Sequence, residues 1–568
     1  MDKANPPDAR GLQVLAKDVL GSRISRREFF RRATALGVSV TAAGAVLDAC
    51  SAGSSSTPTT ASTGKKGGSL VFGPYSDGEN YDPATNTADY PLPPFPSIYE
   101  GLTAYVPPTF HAENLLVETL EQSADGKTYA FTLKQGVQFH HGFGEMTAAD
   151  VKYSFERNAG LQPLYPGAPK SAVSYYAGDM PGLSEVKVTG KYSGQIIFKE
   201  PFVPFDTITL PWATSGYIMP QKAVEKYGSA WPRHPVGTGP YEVASYTPNS
   251  EMILQRFADY SGANTKLGAR NWFDEIRMML VPLNSTPKGE AATVALQSGQ
   301  ADFTPNLGAA DIQRLSSNSA LSTYSPAAPL NYFFLALDVQ NPKLKDIRVR
   351  QAVRYAINIP EIIAANRLPA STRLPALISK DLGTGYWAGA PVYSRDITKA
   401  KALLAAAGAS NLSLELATPG IAGVPGEPNQ VMQVIQANLA EAGIKVSIIE
   451  TPPDSYVAKA GFGSMTWTFF GGAPDPYYQF EWFTCSQIGV WNYASWCNPQ
   501  YTALETKLGT TSGSAARAAM AIDMQRLIDD AVSLIWISSA VGYAASKSSV
   551  TAVFDRNSNP LLHYFYTT

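Results

Sequence analysis

The sequence predicts a two-lobed α/β protein, because its first half is rich in strands and its second half alternates helices with strands. Length supports two lobes: the chain has 568 residues, more than one domain normally holds. Two lobes with different mixtures of helix and strand would meet at a cleft, which is a common place for a small ligand to bind.

In the first half, a β-rich pattern begins at Gly68. Ser69–Phe72 is a short apolar segment that predicts a strand. Apolar residues alternate from Thr128 to Leu133, directly after an Asp125-Gly126 turn, and this combination predicts a hairpin.

One helix is predicted between the strands of this half. Thr147 and Asp150 form a capping box with Asp in place of the usual Glu, which marks a helix N-terminus. Val151 and Phe155 are spaced four residues apart, so both would face the core.

The second half contains two helix-then-strand units. The helical segment Lys399–Ala407 ends at Gly408 and is followed by a strand at 412–416. The apolar face of 431–439 precedes Gly443 and a strand at 444–448. Another helix is predicted at 349–357. Successive units of this kind favour a partly parallel sheet.

The N-terminus has the pattern of an export signal. Arg26 and Arg27 stand just before Ala33–Ala49, a mildly apolar stretch that is too short and too rich in small residues to span a membrane. This pattern predicts a twin-arginine signal over residues 1–49 and an exported mature protein. No later apolar run reaches the length of a membrane span.

The end of this stretch is typical of a lipoprotein cleavage site. The site is Leu47-Asp48-Ala49-Cys50, with Asp48 an unusual residue there. Cys50 would carry the lipid, and residues 50–67 would form a flexible Ser/Thr/Gly/Ala tether.

Cys485 and Cys497 remain as a pair once Cys50 is lipidated. In an oxidising compartment, two cysteines this close in sequence predict a local disulfide. The alternative is a metal site, but no nearby His or further Cys would complete it.

Composition and motifs disfavour several function classes. A formal net charge of -2, with 16% charged residues spread along the chain, provides no basic surface for nucleic acid. The chain has five histidines and no recognisable nucleophile, base, metal or phosphate-binding motif, so we predict no cofactor, no metal and no enzymatic activity. Aromatic residues make up 11% of the chain, which favours a binding cleft.

Six segments, in order, resemble a known family. They are Thr128–Gly142, Met146–Arg157, Val236–Tyr241, Gly299–Phe303, Arg348–Asn358 and Trp467–Phe480. From about Gly67 to the C-terminus the chain resembles the family 5 extracellular solute-binding proteins of bacterial ABC importers, which bind peptides, nickel and related solutes. Cys485 and Cys497 also resemble a disulfide pair of dipeptide-binding members.

The resemblance implies a fold like that of the type II periplasmic binding proteins, with an extra subdomain and with two crossover segments joining the lobes. The crossovers are expected near Val281–Lys288 and near Ile535–Ser539. Lobe I would comprise residues 68–284 and 537–568, with the extra subdomain at about 103–230, and lobe II residues 285–536.

The resemblance also implies which residues line the cleft. The expected ligand-binding residues, which are mostly aromatic, are Tyr75, Tyr81, Asn331, Tyr332, Trp467, Phe469, Phe470, Gly471, Gly472, Asp475, Trp491, Asn492 and Tyr493. Gly472 stands where members that hold a free α-amino group have an Asp, so the usual charge partner for an ammonium is missing. Asp475 could substitute only if the loop were re-routed.

These features predict a monomeric, lipid-anchored or periplasmic receptor. It would capture a peptide or peptide-like solute and deliver it to an ABC permease, whose ATPase supplies the energy. The alternatives are a receptor for a glycoside, an opine or a nickel chelate, and, in another class, an exported enzyme.

Overall fold

The structure is a computed structural model, and it describes residues 64–78, 80–86, 93–108, 110–261, 271–282, 289–305, 307–418, 426–449, 451 and 463–568. Residues 64–568 form one compact unit. The predicted signal, Cys50 and the tether as far as residue 63 lie outside the described residues. Near the end of the predicted tether, the N–H of Lys65 donates to the carbonyl of Thr567 over 3.0 Å.

The first part of the unit, up to Tyr324, is mainly strands. These are β1 (Ser69–Ser76), β2 (Thr103–Val106), β3 (His111–Asn114), β4 (Val117–Gln122), β5 (Thr128–Leu133), β6 (Gln138–Phe139), β7 (Gly144–Glu145), β8 (Leu183–Gly190), β9 (Ser193–Phe198), β10 (Tyr241–Thr247), β11 (Glu251–Arg256), β12 (Glu275–Val281), β13 (Phe303–Thr304) and β14 (Leu321–Tyr324). The helices are α1 (Phe95–Ile98), α2 (Ala148–Asn158), α3 (Gln221–Tyr227), α4 (Glu290–Gln297) and α5 (Ala309–Leu315).

The second part is richer in helix. Its helices are α6 (Ile347–Ala356), α7 (Ile359–Ala365), α8 (Ile397–Ala406), α9 (Pro428–Glu441), α10 (Pro476–Phe480), α11 (Pro499–Thr510) and α12 (Ser514–Ala531). The strands are β15 (Ala327–Leu337), β16 (Ser413–Ala417), β17 (Lys445–Ile449), β18 (Met465–Phe470), β19 (Leu534–Val541), β20 (Ala544–Lys547), β21 (Val550–Thr551) and β22 (Tyr566–Thr567).

Two large sheets organise the fold. The first sheet has the order β10-β11-β12-β1-β13-β20-β14, and the second has the order β17-β16-β18-β15-β19. In the second sheet β16 runs parallel to both β17 and β18, whereas β15 is antiparallel to its neighbours. The predicted partly parallel sheet is therefore confirmed. Residues 117–198 contribute a separate four-stranded sheet, β4-β5-β9-β8.

The chain passes between the two large sheets at positions that differ from the expected crossovers. Strands β13 and β14 pair within the first sheet, so residues 303–324 belong with it and the chain enters the second sheet only at Ala327. The chain returns from the second sheet to the first between Val541 and Ala544, just after the expected crossover segment. The two connections adjoin, since the N–H of Gly542 donates to the carbonyl of Pro326 over 3.0 Å. Their positions depend on strand pairing between distant residues, which a resemblance of short segments does not specify.

Capping and glycine patterns in the sequence predicted the ends of several helices. Helix α2 starts with the capping box of Thr147 and Asp150, and Val151 and Phe155 on its buried face are fully inaccessible to solvent. Helices α8 and α9 are followed by Gly408 and Gly443, which have φ of 67° and 87°, a conformation that Gly adopts without strain.

The disulfide between Cys485 and Cys497 is present. It closes a loop with a sequence separation of 12 residues. Trp491 and Asn492 lie inside this loop.

Candidate ligand-binding site

A cavity of about 80 Å³ lies where three distant segments of the chain meet. The segments are 93–115, 210–217 and 555–564. Its aromatic lining residues are Tyr99, Tyr105, Phe110, Trp212, Tyr217 and Tyr564. The cavity has room for a group the size of a side chain or for a few water molecules.

Backbone packing holds two aromatic pairs against this cavity. Tyr99 stacks on Tyr217 with ring centroids 5.7 Å apart, and Tyr105 meets Trp212 edge to face at 6.2 Å. Gly101 pairs with Tyr217, and a Cβ on Gly101 would lie 2.8 Å from the carbonyl of Leu210. Gly therefore allows the two backbone segments to approach closely, which brings the aromatic side chains together.

Two carboxylates add negative charge to the cavity wall. Glu100 is almost fully buried and accepts hydrogen bonds from Tyr260 Oη at 2.8 Å and Thr238 Oγ1 at 3.1 Å. Asp555 accepts from the N–H groups of Asn557 and Asn559, and burial raises the pKa of its carboxyl to about 6. Aromatic faces beside carboxylates suit an apolar ligand group that carries a hydrogen-bond donor.

The cavity adjoins a contact between the first part of the unit and the loop after β18. Tyr105 Oη donates to the carbonyl of Thr207 at 2.7 Å, and Thr207 Oγ1 donates to Asp475 Oδ2 at 2.9 Å. Burial and the nearby charge of Asp475 raise the pKa of the Tyr105 phenol.

Asp475, one of the expected ligand residues, is fully engaged by the protein. Its carboxylate pairs with the buried guanidinium of Arg517 and also accepts from the N–H of Tyr477 at 2.8 Å. Thr207 is a further donor, so both carboxylate oxygens of Asp475 are already bound by protein groups. Asp475 is therefore a poor partner for an ammonium group of a ligand.

Gly472 is closely surrounded by protein atoms. A Cβ at this position would lie 2.4 Å from the carbonyl oxygen of Leu330 and 2.0 Å from Nε2 of Gln479. Its own carbonyl accepts from Nδ2 of Asn557 at 2.9 Å. No side chain of any kind fits here without movement of the backbone at Leu330.

Several expected residues do come together in one aromatic cluster. Phe470 contacts Tyr332, Trp491 and Tyr493, with ring centroids 5.8 to 6.2 Å apart. Trp491 and Tyr493 are only half-buried, whereas Tyr332 and Phe470 are buried. This cluster does not line the cavity.

Three expected residues are core residues in the structure. Trp467 is fully buried and stacks on Phe333 at 5.5 Å within the second sheet. Tyr81 is 1% exposed and donates to Asp77, and Asn492 donates to the carbonyls of Phe483, Thr484 and Trp496. In this structure all three side chains pack against or bond to other groups of the protein.

The remaining expected residues border these groups. Tyr75 is half-buried against Phe72, and burial raises the pKa of its phenol to about 12. Phe469 packs on Phe333, and Asn331 Nδ2 donates to the carbonyl of Asn557 at 3.2 Å. Gly471 is half-buried at the end of β18.

None of the thirteen expected residues lines the cavity, and the sequence did not single out the residues that do. Tyr105, Trp212 and Asp555 lie in three segments far apart in sequence, without a shared motif. The high aromatic content was the one relevant signal, and it identifies no position.

The described residues contain no helix long and apolar enough to cross a membrane. Across the same parts of the chain, no three His, Cys, Asp or Glu residues are grouped so as to hold a metal ion.

Residues 111–490 match the family model "Bacterial extracellular solute-binding proteins, family 5 Middle". The chain belongs to this family of solute-binding proteins of ABC importers. It is 29% identical over 403 residues to the dipeptide-binding protein of Escherichia coli (strain K12), covering 67% of this chain and 72% of that protein. It is 24% identical over 496 residues to di/tripeptide-binding protein 2 of Pseudomonas aeruginosa (strain UCBPP-PA14), covering 83% and 90%.

The fold is shared with solved family structures. One is the ABC transporter-associated periplasmic binding protein DppA from Helicobacter pylori in complex with the peptide STSA. It superposes with a TM-score of 0.72 at 22% identity, covering 89% of this chain and 98% of that chain. The predicted two-lobed, type II-like fold is thereby confirmed.

Proposed function

We propose that this family 5 protein captures a peptide or peptide-like solute between two lobes and delivers it to an ABC permease with its ATPase. The observation that carries the proposal is the match of residues 111–490 to the family model. The aromatic, acidic cavity lies within lobe I, beside the contact that Thr207 makes with Asp475 of lobe II, and would receive one side chain of the solute. Relatives named as dipeptide-binding and di/tripeptide-binding proteins support a peptide ligand. We assign residues 68–324 and 544–568 to lobe I and residues 327–541 to lobe II, following sheet membership.

We further propose that the protein acts outside the cytoplasm as a monomer. Arg26 and Arg27 would direct export, and a lipid on Cys50 would hold the protein at the outer face of the membrane. The receptor would leave its ligand chemically unchanged, as expected for a member of this family of solute-binding proteins.

The structure favours a ligand whose N-terminal ammonium is not bound by a carboxylate at position 472. Gly472 carries no charge and is closed by Gln479, and Asp475 is neutralised by Arg517. Longer or N-blocked peptides should therefore bind better than free di- and tripeptides. Because aromatic burial would dominate, their affinity should depend weakly on salt.

Mass spectrometry of the ligand retained through purification, followed by calorimetry, tests this proposal. Trp212→Ala should weaken peptide binding at least tenfold, because it removes one face of the cavity. The matched control is Trp387→Ala, since Trp387 lies beside Arg526 outside the cavity. A ligand returned chemically changed, or tight binding of free dipeptides that is lost on N-acetylation, would contradict the proposal.

A further inference from the structure

A second, smaller cavity of about 20 Å³ lies at the edge of the second sheet and contains two arginines. Strand β19 supplies one wall with Leu534, Ile535 and Trp536. The charged and titratable residues of the lining are Arg354, Arg373, Tyr393 and Asp529. None of its lining residues belongs to the aromatic cavity described above.

Arg354 is held at the C-terminal end of α12. Its side chain is 9% exposed, and Nη1 donates to Asp529 Oδ1 at 3.0 Å. Its guanidinium lies 3.7 Å from the centre of the Tyr393 ring, and Tyr393 Oη donates to Asp529 Oδ2 at 2.7 Å. The Nε of Arg354 is buried without a hydrogen-bond partner.

Arg373 reaches the same cavity from another segment. Its backbone pairs with Ser538 of β19, and the neighbouring N–H of Leu374 donates to the carbonyl of Ile537 at 3.0 Å. The Arg373 guanidinium donates from Nη2 to the carbonyl of Tyr393 at 2.9 Å, while its Nε is buried and unpartnered. Burial lowers the pKa of this group.

The charges of this cavity do not balance. Two guanidinium groups face one carboxylate, and both oxygens of Asp529 are already engaged by Arg354 and Tyr393. Arg373 is half-buried. Partial burial of a guanidinium without an anionic partner is unfavourable, and its planar fork matches the oxygens of a small oxyanion. The ion pair with Asp529 balances the charge of Arg354. The charge of Arg373 has no carboxylate partner among the residues that line the cavity.

We propose that this cavity binds a small oxyanion, held between the guanidinium groups of Arg373 and Arg354. The apolar walls formed by β19, Ile359 and Leu374 limit the site to a compact anion. The site is separate from the solute cavity, so the anion would bind in addition to the transported solute.

Equilibrium dialysis of the purified exported protein with radiolabelled inorganic phosphate, at fixed ionic strength and pH 7.5, tests the proposal. We expect one phosphate per chain and an affinity at least tenfold weaker in Arg373→Gln. Arg526→Gln should leave the affinity unchanged, because Arg526 is an exposed residue that pairs with Asp523 on α12. Competition by sulfate and by acetate distinguishes an inorganic oxyanion from a carboxylate, and either result supports the site.

Crystals of the wild-type protein soaked in selenate provide a second measurement that does not depend on the folding of a variant. An anomalous peak within hydrogen-bond distance of Arg373 and Arg354 is expected. Absence of this peak, or equal phosphate binding by the wild type and a folded Arg373→Gln variant, would overturn the proposal.

Discussion

The side-chain amide of Asn557 donates a hydrogen bond to the carbonyl of Gly472 over 2.9 Å. This bond joins the C-terminal segment, which follows the return to the first sheet, to the loop after β18 of the second sheet. Asn331 donates in turn to the carbonyl of Asn557, so the same segment is held at two points. Gly472, the position at which the sequence lacks a charge partner for an ammonium, thus lies in a closely packed contact between the two segments.

Gly472→Ala should destabilise the protein by about 1 to 3 kcal/mol, because the new Cβ would overlap the carbonyl of Leu330. Urea unfolding measures the change. Gly178→Ala is the matched control, since a Cβ there has no atom within 4 Å. Equal stability of Gly472→Ala and wild type would show that the loop has space that the structure does not contain.

Trp467→Ala should act on folding rather than on ligand recognition. Removing a fully buried indole that stacks on Phe333 typically costs about 3 to 5 kcal/mol. Chemical unfolding should show this loss, with Trp387→Ala as the half-buried control. A stably folded Trp467→Ala variant that has lost only ligand binding would restore Trp467 to the binding site.

His140 should make the protein less stable in mild acid. Its Nδ1 accepts from the N–H of Gly237, its Nε2 contacts the carbonyl of Gly239, and burial lowers its pKa to about 3. The unfolded chain therefore takes up a proton near pH 6.5 and the folded chain does not. Below pH 6.5 this group lowers the free energy of unfolding by about 1.4 kcal/mol per pH unit, and above pH 6.5 it leaves that free energy unchanged.

Unfolding free energies at pH 7.5, 6.0 and 5.0 measure this effect. His140→Gln should reduce the slope, and His141→Gln, at the partly exposed neighbouring position, is the matched control. The same slope in His140→Gln and wild type would contradict the assignment.

The Cys485–Cys497 disulfide should stabilise the protein by about 3 kcal/mol, a value expected for a loop of this length in the chain-entropy model. In urea unfolding, the Cys485→Ser, Cys497→Ser double variant should have a free energy of unfolding that is lower by this amount. Thiol titration of the unreduced, unfolded mature protein should find no free thiol from this pair, and two free thiols would refute the bond in the exported protein.

Export should depend on the geometry of the arginine pair and not only on its charge. Arg26→Lys with Arg27→Lys keeps the charge but removes the guanidinium groups, so precursor should accumulate in the cytoplasm. Cys50→Ala should release the exported protein from the membrane fraction. Fractionation with immunoblotting measures both, and normal export of the Lys variant or membrane retention of the Ala variant would refute the corresponding proposal.

Most secondary structure followed from the sequence because its causes are local. The capping box at Thr147 and the glycines after α8 and α9 act within a few residues of one another. The disulfide was likewise predictable from two nearby cysteines in a chain that the sequence predicts to be exported.

The aromatic cavity depends on contacts between residues far apart in the chain. Tyr99, Trp212 and Asp555 meet at one cavity only after the strands pair, and the expected aromatic residues pack elsewhere. The same holds for β13 and β14, whose sheet was decided by pairing with β1 and β20 rather than by their own residues.

The sequence by itself therefore determined the family, the local elements and the disulfide of this protein. Tertiary structure alone decided that Gln479 and Leu330 close the space at Gly472, that Arg517 neutralises Asp475 and that Arg373 shares a cavity with Arg354. The physical reason is that hydrophobic periodicity and capping operate over a few residues, whereas burial and charge pairing depend on which distant segments pack together.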